Sequence, residues 1–474
     1  MAKAQAAPEK KKREFPDVYA LVFLMCIVAM IATWIVPAGS FERVTEGTLT
    51  KVVPGSFQYI DRVPQTPWDM LQAIFQGCIN SAGTIFMIIF CGAAVNMLDE
   101  SKALTAAFST MARKLRGKEA IAIAAVMFAL GLGNAAGVFG NLGTAIILIG
   151  VFMARAMGGD AFLGFLIIYW GLQSGFSVGF ANPGILGVAQ TLAEIPIFSG
   201  MGPRVICCLL NICYLYGLTL LYFKTIKKDP TRSLNYEAGM ELKDYMGPVD
   251  GASADDTKMT KRQAITVAVF FLGVIFCVTF TILNSWPAKK IASFFVGLAV
   301  VTGILSGFSM NEIARKFIKG CQPMVYASLV TGFASAVAVI LNSGKVIDTI
   351  VNVLSMPVAM MGSVLGAGFM VIINVLINVL VPSGSGQAAM VMPLMVPIAD
   401  LVGMTRQVAV QAFQFGDGLG NLLTPLNGPM MGCLAMVGVS YSKYIKWAIK
   451  FLVIQYLVAA AITMGLSAAG WVGF

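Results

Sequence analysis

Long apolar runs separated by short polar ones dominate the chain from end to end. Tyr19 to Val36, Ile265 to Leu283 and Ile291 to Phe308 are continuous apolar stretches. At about 1.5 Å per helical residue, each is long enough to cross a hydrocarbon core of about 30 Å. They do not alternate with a period of two, which excludes a β-barrel. The pattern predicts crossings at residues 17–37, 74–98, 161–192, 203–223, 263–283, 289–308, 321–341, 406–439 and 445–470. Two further apolar pairs, 119–157 and 361–403, read as helix-turn-helix hairpins. A re-entrant hairpin and a pair of full crossings have the same parity, so the pattern leaves both open. The expected fold class is an all-α polytopic membrane protein.

Polar segments divide this pattern. Residues 1–16 form a basic tail ending in Lys10-Lys11-Lys12-Arg13 and Glu14 to Pro16, and 224–262, with Asp229-Pro230, Gly247-Pro248 and Asp255-Asp256, reads as a linker. It separates a first membrane half, 17–223 (hairpin 119–157, broken helix 161–192), from a second, 263–474 (hairpin 361–403, broken helix 406–439). Sliding the chain by 243 residues superposes Gly77-Cys78 on Gly320-Cys321, Phe90 on Phe333, Lys102 on Lys345 and Gly143 on Gly386. Identity is sparse, but the order of unusual features repeats: a span, a Lys-bearing amphipathic stretch, a hairpin with a Gly/Ser/Asn tip, then a span broken by Gly, Asn and Pro. The first copy begins outside and the second inside, the arrangement of inverted-topology transporter repeats.

Composition narrows the class. Apolar residues make up 58% and charged residues only 12%, about half the charged share of a soluble domain. The net charge of +10 could suit nucleic acid. However, most Lys and Arg lie in short loops that an inside N-terminus makes cytoplasmic, and the positive-inside rule accounts for them. The apolar run behind the tail is longer than a signal-peptide core and lacks a small-residue cleavage site. The expected location is a bacterial inner membrane, with the N-terminus cytoplasmic and the C-terminus external.

The nine cysteines are scattered without Cys-x-x-Cys spacing and histidine is absent, which argues against a disulfide framework or a zinc site. Without His, metal and Ser/His intramembrane proteases drop out, and an aspartyl type needs two membrane carboxylates where Asp417 stands alone. The chain is therefore not expected to be an enzyme, and with no Walker loop it is not expected to use ATP. A channel is the remaining rival, because hairpins and broken helices also build pores.

Candidate chemistry gathers at four interruptions. The first hairpin turns around Gly131 to Thr144 and the second around Pro382-Ser383-Gly384-Ser385-Gly386-Gln387. Glycine-rich stretches are poor helix in lipid, where unpaired backbone groups cost several kcal/mol. Where each tip re-enters a helix, free N–H groups and the positive dipole end can receive a carboxylate. The substrate-binding candidates are Asn141, Gly143, Thr144, Asn182, Ser383, Ser385, Gln387 and Thr424. The bland alternative is that the glycines only let helices pack closely.

Pro183 and Pro425 interrupt the two broken spans. Released carbonyls there, with Asn134, Asn421 and Asn427, suit a small cation such as Na⁺. Asp417 is the one carboxylate well inside these segments and is the leading cation-coupling residue, for Na⁺, for H⁺ or for a substrate ammonium. Capping of the helix after Gly416 is its structural alternative. Lys102 and Lys345 each follow a span, where snorkelling explains them as well as substrate binding does. No well-buried Lys or Arg is expected in the core, which tilts the substrate towards an amino acid over a dicarboxylate.

Taken together, Trp34-Ile35-Val36-Pro37-Ala38-Gly39, Asn134 to Thr144, Asn182-Pro183-Gly184, Pro382 to Gln387 and Gly416 to Pro425 make the sequence resemble a known family. It is the YfcC-like branch of the DcuC-type carriers, within the ion-transporter superfamily of elevator carriers. The resemblance implies a homodimer in which a scaffold carries a transport domain built of both hairpins and both broken spans. It also implies a substrate among four-carbon dicarboxylates or basic amino acids such as arginine and ornithine. Relatives carry Ser-Asn-Thr motifs at the tips that bind Na⁺ and carboxylate; this chain has Asn141-Leu142-Gly143-Thr144 and Ser383 to Gln387 instead. No cofactor is implied beyond a coupling Na⁺ or H⁺.

Overall fold

The computed structural model describes residues 18–46, 49–53, 55–103, 117–137, 142–247, 260–284 and 286–473. Among them, Met201–Lys228, Lys289–Ser306, Met324–Ser343, Ser363–Leu380 and Tyr441–Ala468 are helices long and apolar enough to cross a bilayer. The expected span 74–98 is instead a bent pair, Pro67–Asn80 and Ile85–Glu100, meeting at 54°. Its first arm starts early because Thr66 and Asp69 form a capping box ahead of Pro67. The expected span 321–341 is likewise the end of a longer helix, Met310–Ser343, started by a Ser309/Glu312 capping box.

Small residues let these helices touch backbone to backbone. A β-carbon on Gly77 would lie 2.7 Å from the Ala336 nitrogen, and one on Gly320 would lie 2.8 Å from the Ala93 Cα. Both members of the first pair are displaced by 243 positions in the second, so the contact is reciprocal. Lys102 and Lys345, one such displacement apart, both adopt the left-handed conformation, with φ of 58° and 55°. Each closes its preceding helix through its own amide, donated to the Asp99 carbonyl at 2.8 Å and to the Asn342 carbonyl at 3.0 Å.

The stretches expected as hairpins each hold two helices, Glu119–Ala135 and Leu142–Ala156 in the first and Ser363–Leu380 and Gly384–Leu401 in the second; residues 138–141, between the first two, lie outside the described residues. The first broken span runs Ala161–Phe165, widens to a π turn at Leu166–Trp170, resumes at Gly171–Phe176, breaks, and restarts at Pro183–Gly187 and Val188–Leu192. The second runs Arg406–Gly420, breaks, and restarts at Gly428–Met436.

Two buried clusters form the interior, and the broken spans pass from one to the other at their interruptions. One cluster takes Phe162 to Leu172, Leu422 and Met430 to Val439, together with Ile123, Met127 and Ile147 of the first hairpin stretch. The other takes Val178 to Ala193 and Met404 to Leu419, together with Ala367 to Ala399 of the second hairpin. The spans therefore run in opposite senses, and each hairpin packs chiefly into a different cluster.

The segment expected to be a linker is folded over its described part. Asp160, fully buried, caps the first broken span by accepting from the Leu163 amide at 2.7 Å, and it accepts from Tyr222 Oη and Ser233 Oγ at 2.5 Å each. Asn235 accepts from the Phe162 amide and donates to the Val437 carbonyl. The start of one broken span is thereby tied to the end of the other. Residues 248–259, like the tail 1–16, lie outside the described residues.

Candidate substrate and cation site

The second hairpin builds the site's polar wall. Its first arm places Asn374 and Asn378 four residues apart, hence on one face. The arm stops at Val381 because the residue before a proline avoids the helical region, and Ser383 starts the return arm. Gln387 on that arm donates to the Asn374 carbonyl at 2.9 Å and to Asn374 Oδ1 at 3.2 Å. Asn378 Nδ2 donates to Gln387 Oε1 at 3.2 Å and to Asp417 Oδ1 at 2.9 Å. Asp417 is fully buried, and a β-carbon on Gly384 would lie 3.0 Å from its Oδ2. The carboxylate therefore faces the first turn of Gly384–Leu401, where free amides and the positive dipole end favour negative charge. Ser383 and Ser385, exposed at that tip, make no capping bond there.

The broken spans cross directly beside it. A β-carbon on Gly418 would lie 2.2 Å from the Ser177 Cα, and one on Gly175 only 1.7 Å from the Gly131 carbonyl oxygen. Gln414 donates to the Phe176 carbonyl at 2.8 Å, and Tyr169 Oη reaches the Asn421 carbonyl at 3.3 Å and Asn427 Oδ1 at 3.4 Å.

Five buried oxygens around this crossing have no hydrogen-bond partner: Asn134 Oδ1, Gln173 Oε1, Gln414 Oε1, Asn378 Oδ1 and Asp417 Oδ2. Buried polar atoms are normally satisfied, and orphaned acceptors beside a carboxylate are satisfied by a cation or by an N–H donor.

The sequence-derived candidates separate accordingly. Asp417, Ser383, Ser385 and Gln387 meet around the second hairpin, although the polar atoms of Gln387 all bond within the hairpin and Asn378. Thr424 donates to the Val379 carbonyl at 3.1 Å, and Asn427 donates to Asn421 Oδ1 at 2.7 Å, so these three brace the second interruption. Asn134 donates to the Leu172 carbonyl at 3.1 Å, fixing the first hairpin to the first broken span. Asn182 is buried at the first break, its carbonyl accepting from the Gly187 amide. Gly143 and Thr144 fall in the first turns of Leu142–Ala156; Asn141 lies outside the described residues.

Three expectations are corrected. The glycine-rich stretches are mostly helical: Gly131–Ala135, Gly171–Phe176, Gly384–Gln387 and Gly416–Gly420 all lie inside helices. Close approach of a neighbouring backbone explains Gly175, Gly416 and Gly418, close side chains explain Gly131, Gly384 and Gly420, and the true interruptions are shorter. Asp417 caps no helix, since its side chain accepts from Asn378 across the helix–helix contact. A buried cation does exist: Arg204 is 1% exposed, donates to Gln411 Oε1 at 2.7 Å, Gln407 Oε1 at 2.9 Å and the Ser199 carbonyl at 2.6 Å, and lies over the Trp471 ring. Neutral amides and an aromatic face hold its charge, so no nearby acidic residue in the sequence betrays it.

Asn374, Asn378, Gln173, Gln414 and Tyr169 also escaped the sequence reading. The one available signal was the four-residue spacing of Asn374 and Asn378 inside an otherwise apolar span.

Helices of membrane-crossing length around a buried, polar, interrupted centre define a multi-pass membrane protein. Comparison with known proteins narrows this: the chain belongs to the DcuC family, C4-dicarboxylate anaerobic carrier, whose model matches residues 15–468. It is 28% identical to an Escherichia coli (strain K12) protein named "Putative basic amino acid antiporter YfcC", over 96% of this chain and 97% of that one. It is 24% identical to an uncharacterized protein of Haemophilus influenzae (strain ATCC 51907 / DSM 11121 / KW20 / Rd), over 93% and 95%. Among solved structures, MtrF of Neisseria gonorrhoeae, described as illuminating a class of antimetabolite efflux pumps, is 17% identical with a TM-score of 0.39, covering 97% of this chain and 96% of its own. The YdaH transporter of Alcanivorax borkumensis, described as having an unusual topology, is 14% identical with a TM-score of 0.41, over 96% and 99%.

Proposed function

We propose that this chain is a secondary active transporter, coupled to Na⁺ or H⁺, for a small carboxylate-bearing metabolite, with a basic amino acid such as arginine or ornithine as the leading substrate. The observation that carries this reading is the buried Asp417 carboxylate, with Oδ2 and the neighbouring Asn378 Oδ1 both unpartnered at the crossing of two interrupted helices. A cation, or the ammonium of a substrate, completes that set. The open amides and exposed serines at the Gly384 tip suit the substrate carboxylate. The name of the Escherichia coli relative supports the substrate class.

In the same reading, the two halves are inverted-topology repeats with re-entrant hairpins. The reciprocal Gly77/Ala336 and Gly320/Ala93 contacts, the matched Lys102 and Lys345 turns and the opposite senses of the broken spans support it. An elevator-type movement within a homodimer, in a bacterial inner membrane with the N-terminus cytoplasmic and the C-terminus external, follows from that reading.

A four-carbon dicarboxylate is the second reading. The family description favours it, and so does Arg204, a buried cation that touches the second broken span. Counterflow in proteoliposomes separates them: vesicles preloaded with arginine or ornithine should accumulate labelled arginine, and vesicles preloaded with succinate should not. Exchange of succinate alone would replace the leading reading with the second. Ohmic current without exchange would overturn both in favour of a channel.

A further inference from the structure

A cavity of about 120 Å³ lies between Met201–Lys228 and Tyr441–Ala468, and Asp417 is not among its lining residues. Its lining residues sit 6 to 13 positions from Met201 on one helix and 6 to 14 positions from Ala468 on the other. At about 1.5 Å per residue this places it well inside both helices at matching depth. Leu210 and Val458, both exposed on the outer faces of these helices, rim its mouth, so it opens where lipid would be. Val178, Phe415 and Leu419 form its floor, directly behind the Ser177/Gly418 crossing.

The lining is mostly apolar, and its polar side chains are Asn211, Tyr214 and Gln455. Gln455 is 6% exposed and lines the cavity; its Nε2 donates to Asn211 Oδ1 at 2.6 Å, while its Oε1 has no partner. Asn211 in turn donates to the Ser174 carbonyl at 2.7 Å. That chain fixes which end of the Gln455 amide is left over: an acceptor. A largely apolar cavity takes small aromatic molecules, and a single buried acceptor without a partner selects those with one donor.

We propose that this cavity is a binding site, entered from the bilayer, for a small aromatic molecule bearing one N–H or O–H donor, of the indole or phenol class. The donor bonds Gln455 Oε1, and the ring rests on Phe415 and Leu419, against the back of the broken-span crossing. This site does not rest on the transport reading above.

The test uses the full chain in phosphatidylcholine nanodiscs, titrated with indole and with indene, which has the same bicycle without the N–H. Affinities are read from the shift of the thermal unfolding midpoint. Indole should bind about tenfold more tightly than indene, the value of one net hydrogen bond. Gln455→Met should bring the ratio to about one, and Ala459→Phe, which fills the cavity, should remove both responses. Equal binding of the two probes to the unaltered protein, a ratio unchanged in Gln455→Met, or a response surviving Ala459→Phe would each overturn the site. A phospholipid retained by the unaltered protein and lost from Ala459→Phe, with no response to either probe, would do the same. The indole-to-indene comparison decides the matter even where a variant fails to fold.

Discussion

Asp417 and Asn378 form the smallest unit on which function depends. The carboxylate has one hydrogen bond and no ion pair among the described residues, an arrangement that a membrane interior tolerates only when a cation or proton completes it. Asp417→Asn retains shape and can keep a hydrogen bond to Asn378 while removing the charge. It should abolish cation-driven uptake and leave the unfolding midpoint nearly unchanged; uptake that still follows the cation gradient would remove Asp417 from coupling. Asn378→Ala deletes that one hydrogen bond, about 1–3 kcal/mol where the partner stays buried. The cation concentration giving half-maximal uptake should then change by roughly tenfold, and an unchanged value would make Asn378 a packing residue only. Asp417 was legible in the sequence as a charge inside an apolar run. Asn378 was not singled out, because an amide in a span is neutral and its importance comes from a partner 39 positions away.

At the scale of elements, glycines decide how closely helices meet. Gly175 and Gly418 face backbone atoms that have no freedom to give way, so Gly175→Ala and Gly418→Ala should each destabilise the fold by about 1–3 kcal/mol. This would be measured as a lower unfolding midpoint in detergent or nanodiscs. Gly202 and Gly217 have open space around them, and alanine there should be tolerated. The sequence displayed the glycine clusters without saying which of their two uses applied. The structure assigns Gly175, Gly416 and Gly418 to helix crossings and confines the described interruptions to short stretches beside them. The break at Pro382 was legible because proline acts locally. The π turn at Leu166–Trp170 was not, because its five residues are apolar or aromatic and read as ordinary helix.

Across the whole molecule, the proposed entry of two hairpins from opposite faces makes a prediction about access. Single cysteines introduced near Asn141 and at Ser385, in an otherwise cysteine-free chain, should react with an impermeant thiol reagent from opposite sides of the membrane. Reaction of both from the same side under every transport condition would contradict two hairpins entering from opposite faces. The described linker residues also matter at this scale. By joining Asp160, Asn235 and the Val437 carbonyl, they hold the two broken spans together at one end, so those spans are expected to move as one body.

The succession of apolar runs, the proline breaks and the carboxylate of Asp417 inside an apolar run were determined by the sequence alone. Each follows from a property carried locally: hydrophobicity over a bilayer's thickness, a proline that ends a helix, a charge where none is expected. The pairing of Asp417 with Asn378, the seating of Arg204 among neutral amides, the crossing at Ser177 and Gly418, and the cavity behind it were decided only by tertiary structure. They join residues tens to hundreds of positions apart, and a buried polar atom shows its partner, or the lack of one, only once the chain has closed around it.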